Sequence, residues 1–173
     1  MKRVILTILC LLFLYTPLGA GTNDYVLGFS PKGNSLEVIL NVIKESKESI
    51  LVAAYTFTSK PISEALLDAY RRGIKVKVIA DHKGNSNQYT AVNFLANHGI
   101  SIRLNSNYNI MHNKFMVIDG KHVQLGSFNY SASAVDKNAE NVLLLRNVEE
   151  IAKRYTEEWN RLWNEGIDVK PNY

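Results

Sequence analysis

The sequence predicts an α/β fold in one domain, a mixed β-sheet flanked by helices on both faces. Apolar runs alternate with amphipathic helical segments between residues 25 and 104, which favours parallel strands joined by crossover helices. Two later runs enclose an Asp-Gly turn at 119–120, a strong signal for an antiparallel hairpin. No Pro/Gly-rich linker interrupts the 173 residues, a length that suits one domain with a substantial core.

The strands are predicted from apolar or alternating runs bounded by turn-forming residues. The run at 50–57 is continuously apolar, which is typical of a strand covered on both faces. The other strands are predicted at residues 25–29, 75–80, 100–104, 115–118, 122–125 and 141–145.

Four helices are predicted between and after these strands. Ser35 is the predicted N-cap of the first helix. The buried face of that helix is predicted to consist of Leu36, Ile39, Leu40 and Ile43. Pro61 lies in the first turn of the second helix, and Gly73 ends it. The third helix is predicted at 89–98 and the closing helix at 148–164.

The first twenty residues are typical of a secretory signal peptide. A positive start at Lys2-Arg3 is followed by an apolar run at 4–15 and small residues that suit cleavage after Ala20. The sequence therefore predicts a leader at 1–20, a domain at 21–173 and a periplasmic or secreted protein without stable membrane insertion. An uncleaved anchor is the alternative, because the apolar run is only slightly shorter than a spanning helix.

Composition narrows the classes of site in the domain. Cys10 is the one cysteine and lies in the leader, so the domain can form no disulfide and no thiolate metal site. No zinc-spaced cluster and no acidic cluster of the two-metal type occurs, so no metal or cofactor is predicted. Loss of Lys2-Arg3 with the leader lowers the formal charge from +4 to +2. This mildly basic domain is compatible with polyanionic substrates.

The pattern H-x-K-x4-D-x6-G-S-x-N begins at His112 and ends at Asn129. In extended segments, residues two apart share a face, so His112 pairs with Lys114, and Ser127 pairs with Asn129. Lys114, Ser127 and Asn129 can donate hydrogen bonds to phosphate oxygens. Histidine, with a free pKa of about 6.5, can attack phosphorus or transfer a proton. The pattern therefore predicts a site that binds and attacks a phosphodiester.

Asp119 has the opposite strand parity from His112 and Lys114 and begins the hairpin turn, where aspartate commonly bonds nearby backbone. We therefore predict a structural role for Asp119, and also for Gly126. Another carboxylate is needed to orient the histidine ring, and Glu140, at the start of the next strand, is the best candidate. The alternative for Glu140 is a solvated residue at a strand edge.

This spacing closely resembles the HKD signature of the phospholipase D superfamily, and the likeness extends from about Tyr25 to the closing helix. The resemblance implies metal-independent hydrolysis through a phosphohistidine intermediate. Most members carry two motifs, whereas His82, His98 and His122 are not followed by lysine two residues later. The resemblance therefore implies a homodimer in which two copies of His112 form one shared site.

Within the superfamily, short single-motif secreted chains resemble bacterial endonucleases. The residues that match their pattern are His112, Lys114, Asp119, Ser127, Asn129 and Glu140. The first hypothesis is thus a sequence-nonspecific endonuclease acting on DNA or RNA. Aromatic side chains could stack bases, namely Tyr55, Phe57, Tyr89 and Tyr108. Tyr55 and Phe57 end a buried run and fit the core equally well.

Two other functions remain open on sequence. A phospholipase acting on lipid head groups would use the same groups, and Ile110 with Met111 could supply an apolar rim beside the motif. A non-catalytic binding protein would fit a partner surface at Trp159 and Trp163, although four-residue spacing on a helix is more typical of core packing. The intact histidine and lysine pair argues against the non-catalytic hypothesis.

Overall fold

A computed structural model describes residues 25–87 and 90–171. The predicted leader and Tyr89 lie outside these residues. Within them, the helices are α1 (Ser35–Glu45), α2 (Lys60–Arg71), α3 (Ala91–Asn97), α4 (Ala132–Asp136) and α5 (Glu149–Glu165). The strands are β1 (Tyr25–Ser30), β2 (Ser49–Ala54), β3 (Lys75–Asp81), β4 (Ser101–Asn105), β5 (Phe115–Ile118), β6 (His122–Gly126), β7 (Glu140–Leu145) and β8 (Ile167–Asp168).

The strands form one mixed sheet in the order β1-β7-β6-β5-β2-β3-β4-β8. Strands β2, β3 and β4 are parallel, as the alternating first half predicts. Strands β5 and β6 form the predicted antiparallel hairpin, with positive φ at Asp119 and Gly120. Strand β1 departs from the expected parallel pairing, because it runs antiparallel to β7 at the edge of the sheet. The mixed sheet of the prediction is confirmed.

Helices cover both faces of the sheet, as predicted. Alternate residues of β2 separate two apolar clusters, with Val52 packed toward α1 to α4 and Ala53 toward α5. Both of these side chains are fully buried, which confirms the interpretation of the apolar run as a doubly covered strand. No helix in residues 25–87 and 90–171 has the length and apolar character needed to cross a bilayer.

The closing helix packs through its tryptophans, so the core interpretation of these residues is confirmed for Trp159. Its side chain is 1% exposed, and its indole N–H donates to the Val52 carbonyl at 2.8 Å. Trp163 stacks on Trp159 with ring centroids 4.8 Å apart. The charged groups of Lys77 and Arg103 lie over the Trp163 ring, which covers it from solvent.

The first helix begins differently from the prediction. Ser35 is the first helical residue rather than the N-cap, and Asn34 precedes it without a side-chain capping bond. The buried face is rotated from the predicted one and consists of Ser35, Val38, Ile39, Val42 and Ile43. Leu36 and Leu40 lie at the margin of the core, because an apolar stripe wider than the contact area leaves some members half-exposed.

Strand β2 ends three residues earlier than the apolar run. After Ala54 the chain leaves the sheet, and Phe57 forms an isolated parallel bridge with Tyr130. The Asn85 side chain accepts the Phe57 N–H at 3.0 Å, so a tertiary contact replaces the strand ladder. Helix α4 and strand β8 were not predicted, because each is too short to show a period in sequence.

Candidate active site

Apart from Asp119, the predicted site residues lie toward one edge of the sheet, by which we mean the border formed by the ends of the strands and not an outer strand. The carboxyl ends of β2, β3 and β4 point to this edge, and β5 begins there because Phe115 pairs antiparallel with Ala53. Strand β6 ends at the same edge, and β7 starts beside it, with Gly126 opposite Val142. Ligand sites of open α/β sheets lie at the carboxyl ends of parallel strands. The hairpin therefore brings both halves of the motif to a place that suits a substrate.

His112 lies three residues before β5, and its side chain is exposed. Its imidazole meets the Tyr55 ring edge to face, with centroids 4.6 Å apart and planes at 61°. Among the described residues, no side chain forms a hydrogen bond with the imidazole. The ring is therefore held by an aromatic contact and stays open to a reacting group.

Lys114 is almost covered, with 8% exposure. Its ammonium group donates to the His112 carbonyl at 2.9 Å and lies 5.4 Å from the centre of the Tyr55 ring. Burial lowers the pKa of Lys114, and the negative charge of Glu140 partly offsets that shift. Lys114 and His112 thus share one aromatic ring, which agrees with the common face predicted from their spacing.

The side chains of Ser127, just after β6, and Glu140, at the start of β7, are joined by a hydrogen bond. The Ser127 hydroxyl donates to the Glu140 carboxylate at 2.5 Å and accepts the Asn141 backbone N–H at 3.1 Å. A second donor, the Asn138 amide, reaches the Glu140 carboxylate at 3.0 Å. In a single copy of the chain, the described residues show no hydrogen bond between Glu140 and His112. Its predicted role in orienting the imidazole therefore stays a prediction.

Gly126 allows this corner to close. Its φ is +149°, and a Cβ built there would lie 2.2 Å from the Asn141 carbonyl oxygen. Any other residue would push β7 away from β6, because backbone cannot yield as a flexible side chain does. The glycine of the motif therefore lets Ser127 and Asn141 approach.

Asn129 is the member of the motif with unused bonding capacity. Its side-chain oxygen is buried and has no hydrogen-bond partner among the described residues. Because an amide oxygen only accepts hydrogen bonds, it is the amide NH₂ of Asn129 that could donate to a phosphate oxygen. The neighbouring Tyr130 is fully buried and donates to Gln124, which anchors this segment in the core.

Asp119 lies at the opposite end of β5 from Lys114. Its carboxylate accepts the backbone N–H groups of Lys47, Glu48 and Ser49 at 2.8 to 3.0 Å. Burial would raise the pKa of Asp119, but these three donors outweigh it and the pKa is lowered. The contacts of Asp119 are therefore those of a turn anchor, on the side of the sheet remote from His112.

The residues predicted to stack bases or to form an apolar rim differ in their burial. Phe57 is fully buried, so it belongs to the core, whereas Tyr55 is half-buried and faces the motif. Tyr108 is 38% exposed and is bonded to the Glu165 carboxylate at 2.8 Å. Of the predicted apolar rim, Ile110 is 45% exposed and Met111 is buried.

Two residues at this edge were missed in the sequence, Asp81 and Asn85. Both are buried and polar, and both bond backbone groups of the segments that carry Tyr55 and Met111. A polar residue directly after a buried strand is the available signal, but in sequence the segment 81–88 shows only the composition of a polar loop. Histidine 82, in the same loop, is exposed and has its backbone N–H bonded to Asn105.

The arrangement combines an exposed imidazole, a covered ammonium group and a hydroxyl, with the Asn129 amide on the segment that follows β6. Lys114 supplies the positive charge that a phosphate requires, and the imidazole can act as nucleophile or proton carrier. In residues 25–87 and 90–171, no three His, Cys, Asp or Glu side chains are grouped to hold a metal ion.

The chain is similar to a known protein family and to several named proteins. The family model "Cardiolipin synthase, PLD-like domain" matches residues 39–163. A protein named phospholipase D from Rickettsia conorii is 34% identical over 131 residues, which cover 76% of this chain and 65% of that protein. A mitochondrial cardiolipin hydrolase of Xenopus laevis is 33% identical over 120 residues, or 69% of this chain and 57% of that protein. The chain thus spans somewhat less than two thirds of the length of these relatives.

Two solved structures are similar over nearly their whole length. A phospholipase D family member, Nuc from Salmonella typhimurium, shares 37% identity with a TM-score of 0.83, over 85% of this chain and 98% of that one. NucT from Helicobacter pylori shares 25% identity with a TM-score of 0.77, over 84% and 99% of the two chains.

Proposed function

The chain belongs to the phospholipase D superfamily, as a PLD-like domain, and from that premise we propose that it is a secreted phosphodiester hydrolase. Its substrate is DNA, with RNA as a second substrate, cut without sequence specificity. The observation that carries this proposal is the pairing of His112 and Lys114 on the Tyr55 ring at the open edge. Ser127 and Asn129 follow the neighbouring strand β6, which ends at the same edge.

The reaction divides into two displacements at phosphorus. A ring nitrogen of neutral His112 forms a P–N bond while the P–O bond to the leaving alkoxide breaks. A second, protonated imidazole gives its proton to that alkoxide. The same imidazole then takes a proton from water, whose oxygen attacks phosphorus and breaks the P–N bond. Lys114 and the Asn129 amide NH₂ donate to the non-bridging oxygens throughout. The Ser127 hydroxyl, whose single proton bonds Glu140 in the free site, donates to them after rotating away from Glu140, and Glu140 orients a histidine.

The second imidazole has to come from a second copy of the chain, because the sequence contains one His-x-Lys pair. An exposed apolar surface supports this homodimer. Tyr25, Leu27 and Phe29 project from one face of β1 with exposures of 66%, 48% and 58%. Together with Leu143 of β7 they form what we call the β1 patch. Exposed apolar patches of this kind mark interaction surfaces.

The β1 patch is continuous with the candidate site. Phe29 lies opposite Asn141, and the next pair in the register joins Ser30 to Glu140. A copy seated on this patch would bring its own edge close to the first site. The two copies of His112 could then face each other across a two-fold axis.

The surroundings of His112 favour nucleic acid over lipid. The apolar rim reduces to Ile110, since Met111 is buried. Lys83 lies on the same side and donates to the Asn109 carbonyl at 3.0 Å. The surface near His112 therefore gains a positive charge and not a further apolar side chain. Hydrolysis of phospholipid head groups is the second candidate, and it is favoured by the exposed Ile110 and by the names of the Rickettsia relatives.

Plasmid nicking with purified residues 21–173 tests the activity. We expect supercoiled DNA to be nicked in the presence of a chelator, because every step is assigned to a side chain. His112→Ala should abolish nicking, whereas His98→Ala, which alters an exposed histidine at the end of α3, should retain it. Nicking that survives His112→Ala would overturn the proposal. Turnover of labelled phospholipid without DNA cleavage would establish the second candidate.

The dimer has its own test. Phe29→Lys places a charge in the β1 patch, so sedimentation should show a monomer and nicking should fall at least tenfold. Ile167→Lys, at an apolar residue on β8 that is 71% exposed, is the control and should leave the oligomeric state and the nicking unchanged. A fully active monomer in dilute solution would refute the shared site.

A further inference from the structure

We propose that Asp81 and Asn85 are positioning residues that hold the histidine of the site from two directions. The proposal rests on the proposed role of His112. Asp81 ends β3 and is 2% exposed, and Asn85 lies in the following turn and is 3% exposed. Burial of an aspartate and an asparagine is costly unless their polar atoms are bonded, so the bonds they make identify their role.

The first direction runs through the backbone next to His112. One oxygen of the Asp81 carboxylate accepts the Met111 N–H at 2.7 Å, and the other accepts the Gly84 N–H at 2.6 Å. Met111 is itself buried. The peptide before His112 is therefore fixed to the end of β3 by a charge-assisted hydrogen bond, which is short and strong.

The second direction runs through the ring that contacts His112. The Asn85 amide donates to the Tyr55 carbonyl at 2.6 Å and to the Asp81 carbonyl at 2.8 Å, and it accepts the Phe57 N–H at 3.0 Å. These bonds fix the segment that leaves β2, and with it the Tyr55 ring against the imidazole. One buried pair thus sets both the backbone and the ring partner of His112.

Gly84 shows how closely the turn fits this segment. A Cβ on Gly84 would lie 2.8 Å from the Tyr55 carbonyl oxygen and 3.3 Å from the Asp81 carboxylate. The turn therefore packs its backbone directly against the backbone of the Tyr55 segment. Such a rigid support matters because a displacement of about 1 Å in a reacting group can lower a rate about 100-fold.

The test uses the same substitution at two carboxylates that both anchor backbone. Asp81→Asn reverses one acceptor into a donor beside Met111 or Gly84, and Asp119→Asn does the same to a turn anchor at the opposite edge. We expect Asp81→Asn to lower kcat roughly 10- to 100-fold on bis(p-nitrophenyl) phosphate with KM within about twofold. Asp119→Asn should keep kcat, measured at a temperature where both variants are folded by circular dichroism.

A spectroscopic reading separates positioning from loss of stability. The Tyr55 ring shifts the proton resonances of the His112 imidazole, which are identified by their absence in His112→Gln. Asp81→Asn should move these resonances toward those of a histidine with no aromatic neighbour, whereas Asp119→Asn should leave them in place. Unchanged resonances with unchanged kcat in Asp81→Asn would overturn the inference, and so would equal loss of kcat in both variants.

A second variant keeps the inference testable if Asp81→Asn does not fold. Tyr55→Leu removes the ring at a half-buried position and leaves the buried pair intact, so we expect the same fall in kcat with little change in KM. Full activity of Tyr55→Leu would refute the part of the inference in which the Tyr55 ring positions His112. An active His112→Ala would instead refute the proposed function, so the two failures are distinguishable.

Discussion

Replacing Asp119 by alanine is expected to destabilise the fold while leaving the catalytic groups in place. The carboxylate accepts three backbone N–H groups of residues 47–49. Each bond to a charged acceptor contributes about 1.5–3 kcal/mol when shielded. Water can reach this half-exposed site, so we expect a total loss of about 2–4 kcal/mol. For a domain of this size the melting temperature should fall by roughly 4–16 °C.

The effect should depend on pH in a defined direction. Because backbone donors hold the pKa of Asp119 below its ordinary value, the folded state favours the charged carboxylate. Its stabilisation is therefore complete above the unfolded pKa of about 3.9 and is lost as the pH falls through the lower folded pKa. The difference in unfolding free energy between wild type and Asp119→Ala should shrink in that acidic range.

Urea unfolding at several pH values measures the free energy of unfolding, and plasmid nicking at 25 °C measures the activity. Nicking should stay within about threefold of wild type wherever the variant is folded, because Asp119 lies at the far end of β5 from Lys114. Asp119→Asn tolerates the positive φ and gives a milder version of the same loss. A variant with unchanged stability and at least tenfold lower activity would refute this reasoning and place Asp119 in the chemistry.

Three further predictions concern single residues. His122 accepts the Asn147 N–H at 3.0 Å, and burial lowers its pKa, so stability should decline as the pH falls below about 6.5 and His122→Asn should flatten that decline in urea unfolding. Gly126→Ala should cost more than about 2 kcal/mol and reduce nicking, because its Cβ would overlap the Asn141 carbonyl; a folded, active variant would contradict this. Burial lowers the pKa of Lys114, so the alkaline decline of kcat/KM should begin at a lower pH than an ordinary lysine would give, and a profile without any alkaline decline would show that the ammonium is dispensable.

The sequence predicted the local parts of this molecule better than the long-range ones. The hairpin follows from Asp119-Gly120, because both residues tolerate the positive φ that the turn requires. The edge pairing of β1 with β7 joins segments more than 100 residues apart, and no local pattern encodes such a partner. Helix α4 and strand β8 lacked the length to show a period.

The same division applies to the site. Spacing alone indicated that His112 and Lys114 act together, since the two residues are neighbours in the chain. The support from Asp81 and Asn85 joins three separate segments through side-chain hydrogen bonds. Polar residues in a loop look alike in sequence whether they are solvated or buried, so only the fold distinguishes them.

The spacing of the motif residues matches the lengths of the two strands of the β5–β6 hairpin. The four residues between Lys114 and Asp119 are the whole of β5, so the lysine stands at one edge of the sheet and the aspartate at the other. The six residues between Asp119 and Gly126 cover the rest of the turn and the return along β6, which ends at the lysine edge because Phe115 pairs with Leu125. One residue inserted into β5 would change the face of every residue beyond it and would move the aspartate off its three backbone donors. The signature therefore specifies a strand length as well as a set of reactive groups, which explains how an aspartate remote from the chemistry can belong to it.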